Sequence, residues 1–221
     1  MNIIQHEVII SGKDNNMKKF VKRAVKAFTK EFELFVNHNN DPEVLGYFLE
    51  GTYLSIMLNG LVRHDGRKHA ISIAQEYSTY KGDKNKNGRA DAFVRYGDTG
   101  IWIESKKEHY ERRLKEGHWD IDEWLIHDEK DAFKQLRDYY IGEKNKGINT
   151  SYTSHCLMTL MFKRILENPN DIFIKAEQKL AANANKDYTR GWYYSVLFIE
   201  DKSEGDLTHG LEVYGTFEKV K

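Results

Sequence analysis

The sequence predicts an α/β domain with a central mixed β-sheet and helices on both faces. Two observations carry that expectation. Segments with a helical spacing of apolar residues (about 17–36, 42–62 and 121–140) are interspersed with runs of β-forming residues (70–80, 90–96, 101–105, 155–165, 191–200 and 210–218). Two of those runs, ADAFVRY and IWIES, are joined by the short turn GDTG and read as a hairpin.

In chain order, residues 3–10 read as a short strand or an ordered arm. From Met17 to about Val36, Phe20, Ala24, Phe28 and Phe32 recur every fourth residue, as on an amphipathic helix. Its other faces carry Lys18, Lys19, Lys22, Arg23, Lys26 and Lys30, either as a solvated surface or as a phosphate-facing one. NHNNDPE ends that helix and starts another, with Asp41 as N-cap and Pro42 at the first helical position. The second helix, PEVLGYFLEGTYLSIMLNGLV, is apolar almost all round and should be largely buried. Glu50 lies inside it, where a carboxylate is costly unless it is paired or holds a metal. AISIAQEYSTY reads as a strand and KGDKNKNGR as a polar, basic connection. Beyond the hairpin, residues from about Ile121 to Tyr140 read as a helix and HCLMTLMFKRI as a buried strand. GWYYSVLFIE and GLEVYGTFE close the chain as two more strands.

The hairpin carries the chemistry. Strand side chains alternate between faces, so Asp91, Phe93 and Arg95 share one face, and Trp102, Glu104 and Lys106 share one face of the next strand. A turn centred on Asp98-Thr99, of two residues or four, puts Phe93 opposite Glu104 and Asp91 opposite Lys106. Asp91 is then diagonal to Glu104, about 7–8 Å away between backbones. Two neighbouring carboxylates repel, and a hard cation between them neutralises the repulsion. Mg²⁺ takes oxygen ligands and keeps several waters, which leaves positions for a phosphate and an attacking water. Lys106 projects to the same side and suits the charge that grows on a phosphate during displacement. A solvated hairpin with an Asp91–Lys106 salt bridge would use the same residues. In the following helix Gln135 and Tyr139 are four apart and share a face.

A helical Glu, a strand, a strand with Asp91, a strand with Glu104-Ser105-Lys106, and then a helix: this order resembles the PD-(D/E)XK nuclease superfamily, with its restriction-endonuclease-like fold. Gln135 and Tyr139 resemble the QxxxY motif of its RecB-like branch. The resemblance covers about residues 42–163, flanked by the basic amphipathic helix 17–36 and by C-terminal strands at about 191–218, all within one nuclease-like domain 1–221. It implies that Asp91 and Glu104 ligate Mg²⁺ (Mn²⁺ able to substitute), helped by the backbone carbonyl of Ser105. It also implies that Glu50 completes or supports the metal site and that Lys106 positions or activates water. Gln135 and Tyr139 then orient the lysine or contact the substrate strand. The proline that names the superfamily is Ala90 here.

The expected function is therefore a Mg²⁺-dependent nuclease, with DNA favoured over RNA as substrate. The alternative is a non-catalytic module that keeps the fold and binds nucleic acid or protein. Lys84, Lys86 and Arg89 flank the hairpin as phosphate-tracking candidates. A homodimer or a recruiting protein fits the balanced charge, 34 basic against 34 acidic residues, which removes the strongly basic composition of many nucleic-acid binders. Nine histidines come without CxxC or HExxH spacing, so a zinc site is not expected. The single cysteine, Cys156, forbids an intrachain disulfide. With no signal-peptide pattern and no apolar run near the ~20 residues of a membrane span, a cytoplasmic protein of prokaryotic or phage-encoded type, away from the membrane, is expected.

Overall fold

The computed structural model describes residues 2–5, 8–39, 50–65, 71–81, 86–108, 130–146, 152–165, 174, 178, 190–200 and 207–220. Strands β1 (Asn2–Gln5) and β2 (Ile9–Ser11) come first, followed by helices α1 (Asn15–Asn39) and α2 (Glu50–Asp65). Strands β3 (Ile71–Lys81), β4 (Lys86–Tyr96) and β5 (Thr99–Glu108) precede helix α3 (Lys130–Asn145). Strands β6 (Ser154–Ile165), β7 (Gly191–Glu200) and β8 (Leu207–Val220) end the chain. The expected short strand or arm at 3–10 contributes to two strands, β1 and β2, and the expected connection KGDKNKNGR already belongs to β4 from Lys86 onward. Asp41, Pro42, Glu43, and residues 121–129 of the expected helix 121–140, lie outside the described residues.

The sheet is mixed, in the order β1-β7-β8-β6-β5-β4-β3, with β1 and β2 end to end along β7, so that eight strands occupy seven positions. Only β5 and β6 run parallel; the other pairs are antiparallel. A parallel neighbour requires a crossover connection, and α3 lies in it.

Alternation along the strands sorts the core into two layers. Val94, Ile101, Ile103, Cys156, Met158, Leu160 and Phe162 face α1 and α2. Phe93, Trp102 and Leu157 face Phe133, Leu136 and Tyr139 of α3. Arg137 of α3 is also tied to Glu218 of β8, at 2.8 Å to each carboxylate oxygen.

Helix α1 starts two residues before the apolar period does, because Asp14 caps it. Its Oδ1 accepts the N–H groups of Asn16 (2.9 Å) and Met17 (3.0 Å). No acid lies between Asp14 and Glu31, while Lys18, Lys19, Lys22, Arg23, Lys26 and Lys30 do. Like charges four apart (18/22, 19/23, 22/26, 26/30) each cost about 0.2–0.5 kcal/mol. Lys18 and Lys19 also stand at the positive end of the helix dipole. The helix persists because Phe20, Val21, Val25, Phe28 and Phe32 are buried, each contributing about 1.5–3 kcal/mol. Burial wins by a wide margin. Close approach of α2 depends on Gly60, where a Cβ would come within 2.4 Å of the Ala27 carbonyl oxygen.

Cys156 is buried, and that burial, assisted by the charge of Asp14 and opposed by Lys219, pushes its thiol up to about 12. The thiolate is the reactive form, so a disulfide reagent at pH 8 should leave the folded protein unlabelled and titrate the thiol only after denaturation. A folded pKa above the ordinary 9.0 stabilises the fold below pH 9. That contribution should fade as the pH rises from 9 toward 12. Fast labelling of native protein at pH 8 would contradict both statements.

Candidate active site

The β4–β5 ladder pairs Tyr96 with Thr99, Phe93 with Trp102 and Ala92 with Ile103. The turn is therefore Gly97-Asp98, not one centred on Asp98-Thr99. Gly97 has φ +59°, a value glycine tolerates at the first central position of a tight hairpin turn. This corrects the expected register. Phe93 faces Trp102 rather than Glu104, and Asp91 falls level with Glu104 itself rather than diagonal to it or opposite Lys106. From Ala92 to Tyr96 the faces are unchanged, because the correction moves each partner by two.

The ladder ends at Ala92–Ile103. Beyond it, Ser105 donates its backbone N–H (2.7 Å) and its hydroxyl (3.1 Å) to Oδ2 of Asp91. A side-chain carboxylate has replaced a main-chain acceptor. On the other flank, the β3–β4 ladder omits Glu76–Asp91 between Gln75–Ala92 and Tyr77–Ala90, and Glu76 has φ +49°. Ala90 and Phe93, three residues apart, consequently both pack on the α3 side, whereas Ala92 packs on the other. Irregularities of this kind re-aim side chains and interrupt pairing. Here Asp91 is turned into the gap between β4 and β5.

Glu104 lies on the Trp102 face with its side chain 2 % exposed, and Lys106, 39 % exposed, places Nζ 2.7 Å from its Oε1. Lys106 thus bridges to Glu104, not to Asp91 as the solvated-hairpin alternative required. Gln135 donates to the Tyr139 hydroxyl at 2.5 Å. Burial raises the Tyr139 phenol, and the negative charge of Glu104 raises it further. Hydrogen bonds from Gln135 and from the Arg89 backbone pull the other way, and Asp91 adds a smaller upward push. The phenol therefore stays neutral near both acids. Its ring lies against Gly88, where a Cβ would come within 2.4 Å of it.

The other expected residues are placed as follows. Glu50 is the first residue of α2, and its side chain lies outside the described residues. Lys84 lies outside them altogether, as does the side chain of Lys86, which opens β4. Arg89 is 63 % exposed and 3.4 Å from Glu76, a surface pair of small energetic weight. Among the described residues no group of three or more His, Cys, Asp or Glu side chains is placed to hold a metal. Asp91 and Glu104 supply carboxylate oxygens, and one or two such groups with water suffice for Mg²⁺. The donor set suits a hard cation rather than zinc.

One cluster had no counterpart in the sequence reading. Glu104, Lys106 and Glu108 of β5 pair with Thr159, Met161 and Lys163 of β6, so Lys163 shares the face of Glu104 and Lys106. Lys163 lies 3.5 Å from Glu212, a buried carboxylate that also accepts the Tyr194 hydroxyl at 2.6 Å. Burial first, then the charge of Glu212, raises the Tyr194 phenol well above its usual range. The sequence signal was Thr159 and Lys163, four apart and so on one face of a strand whose middle is otherwise apolar; their partners on β7 and β8 carry no local signal.

Comparisons of this chain with protein-family models, with curated proteins and with solved structures found no match.

Proposed function

We propose that the protein is a Mg²⁺-dependent nuclease that hydrolyses phosphodiester bonds, DNA ahead of RNA. The observation that carries this reading is the convergence of Asp91, Glu104, Lys106 and the Gln135–Tyr139 pair where the β4–β5 ladder opens. The topology also supports it. The succession α2-β3-β4-β5-α3-β6, with three antiparallel strands and a fourth parallel to the third, resembles the restriction-endonuclease-like arrangement of the PD-(D/E)XK superfamily.

In this mechanism Asp91 and Glu104 would hold the cation, with the Ser105 carbonyl and Glu50 as further candidates. A bound divalent ion supplies a Lewis acid for the phosphate and lowers the pKa of water. The chain's own residues do the rest. Asp91 is pre-aimed by the Ser105 N–H, so little ordering remains when substrate arrives. Lys106 neutralises buried Glu104 in the resting protein. With Glu104 otherwise compensated, the Lys106 ammonium would stabilise the charge growing on the phosphate oxygens. Tyr139, neutral and held by Gln135, keeps a hydroxyl beside the two acids.

The test is incubation of supercoiled plasmid, linear duplex, single-stranded DNA and RNA with the protein in Mg²⁺, in Mn²⁺ and in excess chelator. Cleavage that needs the cation is the expected result. Absence of cleavage on all four substrates, with no rise in melting temperature on adding metal, would overturn it in favour of the non-catalytic binding module.

A further inference from the structure

We infer that Lys163 is a substrate contact, its ammonium holding a phosphate that neighbours the one placed at Asp91, Glu104 and Lys106. Lys163 stands on the face of Glu104 and Lys106, two residues beyond Met161, which is level with Lys106. With strands about 4.8 Å apart and a rise of about 3.3 Å per residue, the Lys106 and Lys163 backbones are roughly 8 Å from one another. A chain of phosphates bound at one ammonium can therefore engage the other. The Lys163 side chain is 15 % exposed, and Met161 before it is buried. A lysine in such surroundings lays its stem along apolar surface and turns its charged head toward water.

Behind it the ammonium is anchored rather than tightly bonded. Nζ lies 3.5 Å from Oε2 of Glu212, longer than an N–H···O bond of about 2.7–3.2 Å. That buried oxygen accepts no hydrogen bond among the described residues. The other oxygen, Oε1, accepts the Tyr194 hydroxyl at 2.6 Å, and the phenol, raised well above its usual range, remains a donor. An ammonium carries three N–H donors, so Lys163 can face Glu212 and a phosphate together. Glu212 and Tyr194 are then positioning residues, enclosed behind the lysine and away from the substrate. Glu108, level with Lys163 on β5, has its side chain outside the described residues. Stability alone gives little reason for the Lys163–Glu212 pair, because a buried ion pair can often be replaced by apolar residues without loss.

The identity of the polyanion rests on the nuclease reading; the placement of Lys163 does not. The test is fluorescence-anisotropy titration of a labelled 30-base-pair duplex in chelator, over a series of salt concentrations. Glu212→Gln is compared with the double variant Glu212→Gln, Lys163→Met. Both keep a neutral acceptor for Tyr194, so they differ only in the ammonium, and melting temperature checks that both fold. If the double variant unfolds, Lys163→Gln takes the place of Lys163→Met. The expected result is that the double variant binds about tenfold more weakly than Glu212→Gln, with the slope of log affinity on log salt shallower by about 1. In Mg²⁺ the loss should appear in KM rather than kcat, because a contact to a flanking phosphate is made equally in the ground and transition states. Equal affinity and slope in the two variants would overturn the inference and leave a structural ion pair. So would failure of the wild type to bind the duplex. If wild type cleaves plasmid but the two variants bind alike, only this inference fails. If wild type never cleaves but its DNA binding depends on Lys163, only the nuclease reading fails.

Discussion

Lys106→Ala should cut cleavage by about 10²–10³ while leaving divalent-cation binding as strong as in wild type, or stronger. Lys106 and a cation address the same carboxylate, since Nζ lies 2.7 Å from Oε1 of a Glu104 that is almost wholly buried. Removing the ammonium takes away the Lys106 charge that addresses that oxygen, so a metal meets less competition there. Transition-state stabilisation is lost. A preorganised donor to a developing oxyanion is worth about 10²–10³ in rate, so activity should fall by that factor. The metal-induced rise in melting temperature should persist, because a ligand that binds only the folded state stabilises it by mass action. Lys106→Met, which keeps the aliphatic stem, separates loss of charge from loss of packing and should behave the same way. Plasmid nicking beside a melting series in Mg²⁺ and Mn²⁺ measures both quantities. Full activity in either variant would remove Lys106 from the mechanism.

Asp91→Ala should combine loss of cleavage with the larger fall in stability. Ser105 is buried, and its N–H and hydroxyl both use Oδ2 of Asp91 where the strand ladder has ended. Taking away that acceptor strands a buried donor at about 1–3 kcal/mol. For a chain of this length the melting temperature should drop by about 2–10 °C. Asp91→Asn is the informative partner. Its amide oxygen can still accept from Ser105, so most of the stability should return, but a neutral amide is a poor ligand for a hard cation and cleavage should not. An alanine variant that melts like wild type would mean that the Ser105 hydrogen bonds are not what aims Asp91. An active asparagine variant would mean that Asp91 is not a metal ligand.

The face shared by Glu104 and Lys106 was legible in the sequence because strand side chains repeat every two residues, and that parity survives a shifted turn; Asp91 departs from it, turned into the gap between β4 and β5. Register was not legible. GDTG permits turns centred at either of two bonds, and only the Gly97 conformation selects one. The opened ladder was hidden for a related reason. It depends on Glu76, Asp91 and Ser105 from three strands, whose pairing no local pattern encodes. The Gln135–Tyr139 pair was visible as a helical spacing, but its electrostatic contact with Glu104 required α3 to be laid over β4 and β5.

From sequence alone came the α/β class, the amphipathic α1 with its basic outer face, the hairpin and the set of residues able to meet at its open end. These follow from periodicity and from side-chain chemistry, which are local properties of the chain. Tertiary structure decided the strand order, in which β8 lies between β6 and β7, and the pairing of Lys106 with Glu104 rather than Asp91. It also decided that Lys163, Tyr194 and Glu212 meet beneath the same face. Those outcomes depend on contacts between distant segments, where burial energy and hydrogen-bond satisfaction are settled for the whole sheet at once.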